Sequence, residues 1–430
     1  MKTAFTLVIT GMIFALCLSC TQTNNKSDLN QQNKTKEVTA KDILGNPDYL
    51  AISYGGYRMK SRDIQPTVEQ LKEDMKILFA MGIRILRTYN VQLQHAPNLL
   101  IAITELKKDD PNFEMYVMLG AWIDCKNAWT DQPVDHNVES EQNEGEIARA
   151  VALANQYPDI VKVIAVGNEA MVKWAESYYV QPEVILKWVN HLQNLKQNGG
   201  LSKNLWITCS DDFASWGGAD TIYHTTDLEQ LIEAVDYISM HTYPYHNTHY
   251  NPGFWKVPPG EANLSDVEKI DAAMERSIAF AKSQYDSVSN YVKSLGIEKA
   301  IHIGETGWAT ISSGHYGPNG SKATDQYKQG LYYKHMRNWT NTSGISCFYF
   351  EAFDEQWKDA HNHKGSENHF GLFTLNGNAK YPVWDLVDKG IFEGLSRDGN
   401  PIIKTFEGDK DSLMSQVLVP PAHEKPAMSK

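Results

Sequence analysis

Cysteine is scarce, with five in 430 residues. That sparse, odd count excludes a disulfide-built scaffold. Basic charge is in deficit: 40 Lys and Arg stand against 52 Asp and Glu, a formal net charge of −12. A nucleic-acid partner is therefore not expected, because such binding needs a basic face that releases counterions. The apolar stretch near the start, Phe5 to Leu18, is too short for a permanent membrane-spanning helix. No internal repeat is visible, and no glycine-rich phosphate turn follows the first strand-like run. Aromatic residues, in contrast, are plentiful. They reach 11%, with 11 Trp and 21 Tyr, more than a plain core requires. Hydrophobic residues at 42% and charged residues at 21% are ordinary for a folded globular chain.

The first residues read as an export leader over 1–19. Lys2 supplies the positive start, and the apolar run ends at Leu18-Ser19-Cys20. This ending resembles the lipobox of bacterial lipoproteins, which implies that Cys20 becomes a lipidated N-terminus; Cys17 stands where Leu is usual. An ordinary cleaved leader with an incidental cysteine is the plainer alternative. Residues 20–43 are rich in Asn, Gln, Lys and Thr without apolar periodicity and read as a flexible tether. The expected address is the cell envelope, with the chain lipid-anchored on a surface or periplasmic face. Of the other cysteines, Cys125, Cys209 and Cys347, two fall in apolar runs where a thiol acts as a small hydrophobe.

Residues 49–390 alternate strand and helix. Strand-like runs occur at Leu50–Gly55, Ile83–Tyr89, Met115–Ala121, Val161–Gly167, Leu205–Ser210, Val235–His241, Ala300–Gly304 and Ile345–Phe350. Most are continuously apolar, as strands of a parallel sheet covered on both faces should be. Thr67-Val-Glu-Gln70 is a capping box, and Val68, Leu71, Met75 and Leu78 follow at helical spacing until Gly82. Pro182 to Asn198 sets Ile185, Trp188, Leu192 and Leu195 on one face. Asp266 to Leu295 and Thr324 to Thr340 are further helix candidates. The alternation predicts an α/β fold, a (β/α)8 TIM barrel forming one catalytic domain over 44–395, with a strap and tail over 396–430. An open doubly wound sheet has the same alternation and is the competing architecture.

In such barrels chemistry gathers at the C-terminal ends of the strands. Two carboxylates stand out there. Glu169, after Gly167-Asn168, and Glu305, before Thr306-Gly307-Trp308, each close an apolar run. A facing pair of carboxyl groups is what glycosidic cleavage needs: one protonates the leaving oxygen, the other traps or stabilises an oxocarbenium ion. Either Glu alone could instead be a structural partner of Arg58 or Arg87. Trp122, Trp174, Trp216, Trp255, Trp308 and Trp357 fall in or near loops at the same end. Flat indoles suit the C–H faces of pyranose rings, though aromatics also simply pack loops. His361, His363 and His369 lie close to Glu367 in sequence, but their spacing matches no standard metal-ligand pattern. They read as a solvated loop at the barrel mouth, and no metal or other cofactor is expected.

Together these residues look familiar. The set Tyr54…Tyr57-Arg58, Arg87-Thr-Tyr89, Gly167-Asn-Glu169, Tyr243-Pro244, Glu305-Thr-Gly-Trp308 and Phe350-Glu-Ala-Phe-Asp-Glu355-Gln-Trp-Lys358 resembles glycoside hydrolase family 17, of the retaining clan A. The resemblance runs in order through nearly all of residues 49–390. It implies a β-1,3-glucanase working through a covalent glycosyl-enzyme. Glu169 would be the general acid/base and Glu305 the nucleophile. Asn168 would hydrogen-bond the sugar 2-hydroxyl, Tyr243 would hold the nucleophile, and Arg87 would keep it ionised. Glu355 and Lys358 would fix the charge of the pocket; Tyr54 and Trp308 would join in binding substrate. Glu351 reads equally well as a mere ion-pair partner at the rim. The implied partner is a β-glucan, bound by a monomer that meets the membrane only through its lipid. Two readings compete: a β-1,3-glucanosyltransferase using the same residues, and a non-catalytic surface glycan-binding lipoprotein.

Overall fold

The computed structural model describes residues 37–423; the leader and the lipidation expected at Cys20 lie outside the described residues. Eight parallel strands close into a barrel. They are β1 (Leu50–Ser53), β2 (Ile83–Arg87), β3 (Tyr116–Ala121), β4 (Val161–Asn168), β5 (Trp206–Asp212), β6 (Ile238–His241), β7 (Ile301–Gly307) and β8 (Cys347–Phe350). Closure removes the open-sheet alternative. Every run read from sequence becomes a strand. Their ends shift by a few residues, and β7 extends through Glu305 rather than stopping at Gly304.

Seven longer helices surround the barrel: α1 (Val68–Ala80), α2 (His95–Asp109), α3 (Gln142–Gln156), α4 (Pro182–Gln197), α5 (Thr226–Ala234), α6 (Asp266–Ser294) and α7 (Gln326–Thr342). The start of α1 shows why the sequence was readable. Thr67 Oγ1 accepts from the Gln70 backbone at 3.2 Å, and the Gln70 side chain accepts from the Thr67 backbone at 3.1 Å. Such a cap is worth about 1 kcal/mol. Gly82, with φ of 90°, then ends the run in a conformation that costs glycine little.

Period-two alternation divides the strands between two cores. Ile52, Leu86, Val117 and Ile164 face outward into the cluster shared with the helices. Their neighbours Ala51, Ile85, Met118, Val163 and Ala165 gather inside the barrel with Tyr237 and Phe348. Residues 40–43, expected within the tether, instead form a helical turn whose Ala40 and Ile43 are fully buried in that inner cluster. The reason is its apolar pair: each buried aliphatic side chain contributes about 1.5–3 kcal/mol, which outweighs the polar composition around it.

The chain beyond residue 395 packs against α1. Arg397 is fully buried and donates from Nε to Asp74 Oδ1 at 2.9 Å. Asp74 also accepts from Arg58 at 2.6 Å and from the Tyr54 hydroxyl at 2.8 Å. Burial opposes the charge on Asp74, but Arg397 and Arg58 outweigh it and hold the carboxyl below its usual range. Cys125, Cys209 and Cys347 are free thiols, all buried.

Candidate active site

Both candidate carboxylates sit where a strand breaks its register. Between Ile303 and Glu305, β7 spends one residue more than β6, and it does the same against β8. Such a bulge re-aims side chains. Gly304 and Glu305 therefore both face the interior, while Thr306 already points outward to the Tyr332 hydroxyl on α7, 2.7 Å away. Gly304 has no alternative: a Cβ there would stand 2.1 Å from Ser239 Oγ and 2.7 Å from Ser210 Oγ. On the opposite wall, β4 slips against β5 between Ala165 and Asn168. Gly167 takes φ of 80° and Glu169 takes φ of 48°. Left-handed backbone at a non-glycine residue costs about 1 kcal/mol, and here the Glu169 N–H bond to the Ser210 carbonyl at 3.0 Å holds it.

The two carboxyl groups converge. An oxygen of Glu169, an oxygen of Glu305 and a ring nitrogen of His241 all lie within 4.8 Å of one another. Paired carboxyls about 5–5.5 Å apart belong to retaining glycosidases, and about 6.5–9.5 Å to inverting ones.

Their surroundings split their acidities. Glu305 Oε2 accepts from Arg87 Nη1 and from the Tyr89 hydroxyl, both at 2.7 Å. Its Oε1 accepts from the Tyr243 hydroxyl at 2.7 Å. Burial alone would raise its pKa, but the Arg87 charge and the two phenols win, and the carboxyl stays below its ordinary value. Glu169 receives no such cation contact. Burial, then the Glu305 charge, push it up to about 8, with Arg87 pulling weakly the other way. His241 Nδ1 lies 3.0 Å from Glu169 Oε1, and its Nε2 lies 2.8 Å from Ser210 Oγ. Burial lowers its pKa to about 4, so the ring is neutral near pH 7. At that pH the site holds one carboxylate, one carboxylic acid and one neutral imidazole.

Asn168 and Arg87 join the two walls. The Asn168 amide oxygen accepts from Arg87 Nη2, which turns the NH2 end of the amide away from Arg87. Arg87 also donates to the Gly304 carbonyl at 2.8 Å.

Other expected residues stand elsewhere. Tyr54 is fully buried with its hydroxyl on Asp74, so it braces the first strand against α1 and does not reach substrate. Trp308 is fully buried and donates to the Ala323 carbonyl at 2.8 Å; it too is a packing residue. Trp216 and Trp255 are equally inaccessible. These indoles bury their NH on backbone carbonyls, which lets them serve as core despite their place in loop sequence. Glu355 and Lys358 lie at the β8 side of the mouth, without a bond to Glu169 or Glu305. Glu355 accepts from the Tyr57 backbone at 3.0 Å and from Trp357 Nε1 at 2.9 Å. Lys358 Nζ lies 2.6 Å from Glu351 Oε2 and 3.4 Å from Glu355 Oε2, so Glu351 is an ion-pair partner. The histidine group does not converge: His369 Nε2 meets the His363 carbonyl at 2.7 Å.

Sequence reasoning gave no role to His241, the terminal residue of β6, or to Ser210 behind it. The available signal was a histidine two places before Tyr243 at a strand end. It also passed over Trp129, an isolated indole in a polar loop, which is 62% exposed.

Comparison with known proteins points to glycoside hydrolases. An endo-laminarinase from Formosa Hel1_33_131 is 68% identical, and the match covers 91% of this chain and 100% of that one with a TM-score of 0.90. A glycoside hydrolase family 17 β-1,3-glucanosyltransferase from Rhizomucor miehei, 19% identical over 78% of this chain and 96% of its own, shares the fold with a TM-score of 0.53. A glucan 1,3-beta-glucosidase of Saccharomyces cerevisiae is 29% identical over 148 residues, 30% of this chain and 45% of that protein. The chain thus spans about half the length of the curated relatives it matches. The model of the BtgE/BtgC glycoside hydrolase domain matches residues 51–371, nearly the whole barrel, and the chain belongs to that glycoside hydrolase family.

Proposed function

We propose that the chain hydrolyses the β-1,3 bonds of a laminarin-like glucan, within the polymer and with retention of configuration. One observation carries this reading: a carboxylate and a carboxylic acid approach within 4.8 Å across one cleft, with opposite pKa shifts. Glu305 attacks the anomeric carbon, and its bond to C1 forms as the C1–O bond to the leaving chain breaks. The proton of Glu169 goes to the departing oxygen. Esterification removes the Glu305 charge, one of the causes that keep Glu169 protonated. Glu169 then becomes acidic enough to act as base, takes a proton from water, and the hydroxyl displaces Glu305 from C1. The likeness to the Formosa endo-laminarinase supports the substrate class and the internal mode of attack. The net charge of −12 suits a neutral polymer.

The test is to incubate the protein with defined β-1,3-gluco-oligosaccharides while following product sizes and anomeric configuration by NMR. Shorter products released first as the β-anomer are expected; initial α-anomer overturns the mechanism. Products longer than the substrate would assign the same residues to glucanosyl transfer.

The reading extends to location. A monomer held to the envelope by a lipid on Cys20 accounts for the leader and the polar stretch after it. Among the described residues, no helix is long and apolar enough to cross a membrane. Labelling with a fatty-acid analogue should mark the native chain and not Cys20→Ser, and gel filtration of the exported domain should give one chain.

A further inference from the structure

The loops after β3 and β4 build an aromatic wall beside Glu169. β3 runs into Trp122, and the chain then forms a two-stranded ribbon, Cys125–Lys126 against Asp135–Glu139, that carries Trp129 at its turn. Tyr178 comes from the loop that begins at Glu169. The Trp129 and Tyr178 rings stack with centroids 5.0 Å apart and planes 23° apart, and Trp122 touches both, with centroids 5.2 Å from Tyr178 and 6.2 Å from Trp129. A backbone bond ties the two loops, Cys125 N–H to the Tyr178 carbonyl at 3.1 Å, and Val180 N–H to the Ala170 carbonyl at 2.7 Å closes the second loop on itself.

The outermost ring is both exposed and fixed. Trp129 is 62% accessible, yet its ring lies against Tyr178 and Trp122, with centroids 5.0 and 6.2 Å away, and Trp122 Nε1 donates to Asp124 at 3.3 Å. At its base Glu139 anchors the ribbon, accepting from Trp188 Nε1 at 2.7 Å and pairing with Lys187. Asn127 and Trp129 take φ of 64° and 62°, a conformation that L side chains keep only where the surroundings hold them. An exposed indole already ordered has little freedom left to lose when a flat apolar face settles on it. The face offered by a β-glucosyl ring, its axial C–H bonds, fits that surface.

The wall's position sets which part of the chain it meets. Glu169 protonates the departing oxygen, so groove beyond Glu169 receives the leaving portion of the glucan. Tyr178 shares the Glu169 loop, and after burial the charge that most raises its hydroxyl's pKa is that of Glu169, ahead of Asp211 and Glu305.

We propose that Trp129, supported by the buried Tyr178 and by Trp122, forms a preorganised subsite that stacks a glucosyl unit on the leaving-group side of the scissile bond. The inference rests on the glucanase reading above. It makes productive binding depend on chain beyond the cleaved bond, as attack within a polymer requires.

The test compares two substrates in wild type, Trp129→Ala and Trp129→Phe. One is a long β-1,3-gluco-oligosaccharide. The other is laminaribiosyl β-fluoride, whose leaving group is a single atom that cannot reach the wall. In Trp129→Ala the ratio of oligosaccharide to fluoride kcat/KM should fall about tenfold, carried mainly by KM, with the cleavage pattern shifted. Trp129→Phe should recover most of the ratio. Equal losses on both substrates, or no loss on either, overturn the subsite. Wild-type protein that turns over neither substrate overturns the glucanase reading itself, so the two failures are distinguishable.

Discussion

The two ends of the barrel interior are lined by the same strands and differ in kind. At the N-terminal end the inward residues are Ala51, Ile85, Met118, Val163 and Phe348, closed off by the helical turn at 40–43. Toward the C-terminal ends of the barrel strands stand Arg87, Asn168, Ser210, His241 and Glu305. One end is a sealed apolar layer. The other is a charged, hydrogen-bonded cleft that keeps one acid ionised and one protonated. The lesson is a division of labour: burial at the first end stabilises the barrel, and the second end spends part of that stability on strained backbone and a buried acid.

The largest effect that would break this comparison is at the proposed nucleophile. Glu305→Gln should lose more than about 10⁴-fold in kcat while still binding gluco-oligosaccharide, as titration calorimetry would show. Near-normal turnover would remove Glu305 from the mechanism. Next comes Glu169→Gln, expected to lower kcat on oligosaccharides by about 10²- to 10⁴-fold. A substrate with a very good leaving group needs no proton in the first step, so its glycosyl-enzyme should accumulate in a burst. A variant equally slow in forming and breaking that intermediate would contradict an acid role.

The opposite end should behave in reverse. Phe348→Ala removes a fully buried ring and should cost about 3–5 kcal/mol in denaturant unfolding. The fraction that remains folded should keep its kcat, because no catalytic bond touches that layer.

An effect that appears only as pH changes sharpens the contrast. Glu169 has its pKa raised in the fold to about 8, whereas the unfolded chain ionises near 4.5. The unfolded state therefore loses its proton first, and wild-type stability falls as pH rises between those values. Glu169→Gln lacks this loss. Its melting temperature should exceed that of wild type by a margin that grows from pH 5 to pH 8 and then levels. A margin independent of pH would mean that Glu169 is not held protonated. The same shift puts the alkaline limb of the activity profile near pH 8, and Glu305 puts the acid limb below the ordinary carboxylate range.

Much of this was legible in the chain. Continuous apolar runs give buried parallel strands wherever they occur, so all eight could be placed from local pattern. Glu169 and Glu305 were visible because a charged residue that ends such a run has little structural reason to be there. The aromatic residues were less readable, since Trp216, Trp255 and Trp308 look in sequence like Trp129. Whether an indole becomes core or platform depends on which loops close over it, and no local spacing records that.

The sequence by itself therefore determined the barrel, four of its helices and the place of Glu169 and Glu305 at strand ends, because strand burial, helix capping and charge at strand ends are all short-range features. Only the tertiary structure decided that Tyr89 joins Arg87 and Tyr243 on Glu305 while Glu169 faces neutral His241. It also decided that Tyr54 turns to Asp74 and that residues 40–43 plug the barrel floor. Those outcomes arise from register slips and from contacts between residues distant in sequence, where distance and solvent access, rather than residue type, set the charge each group carries.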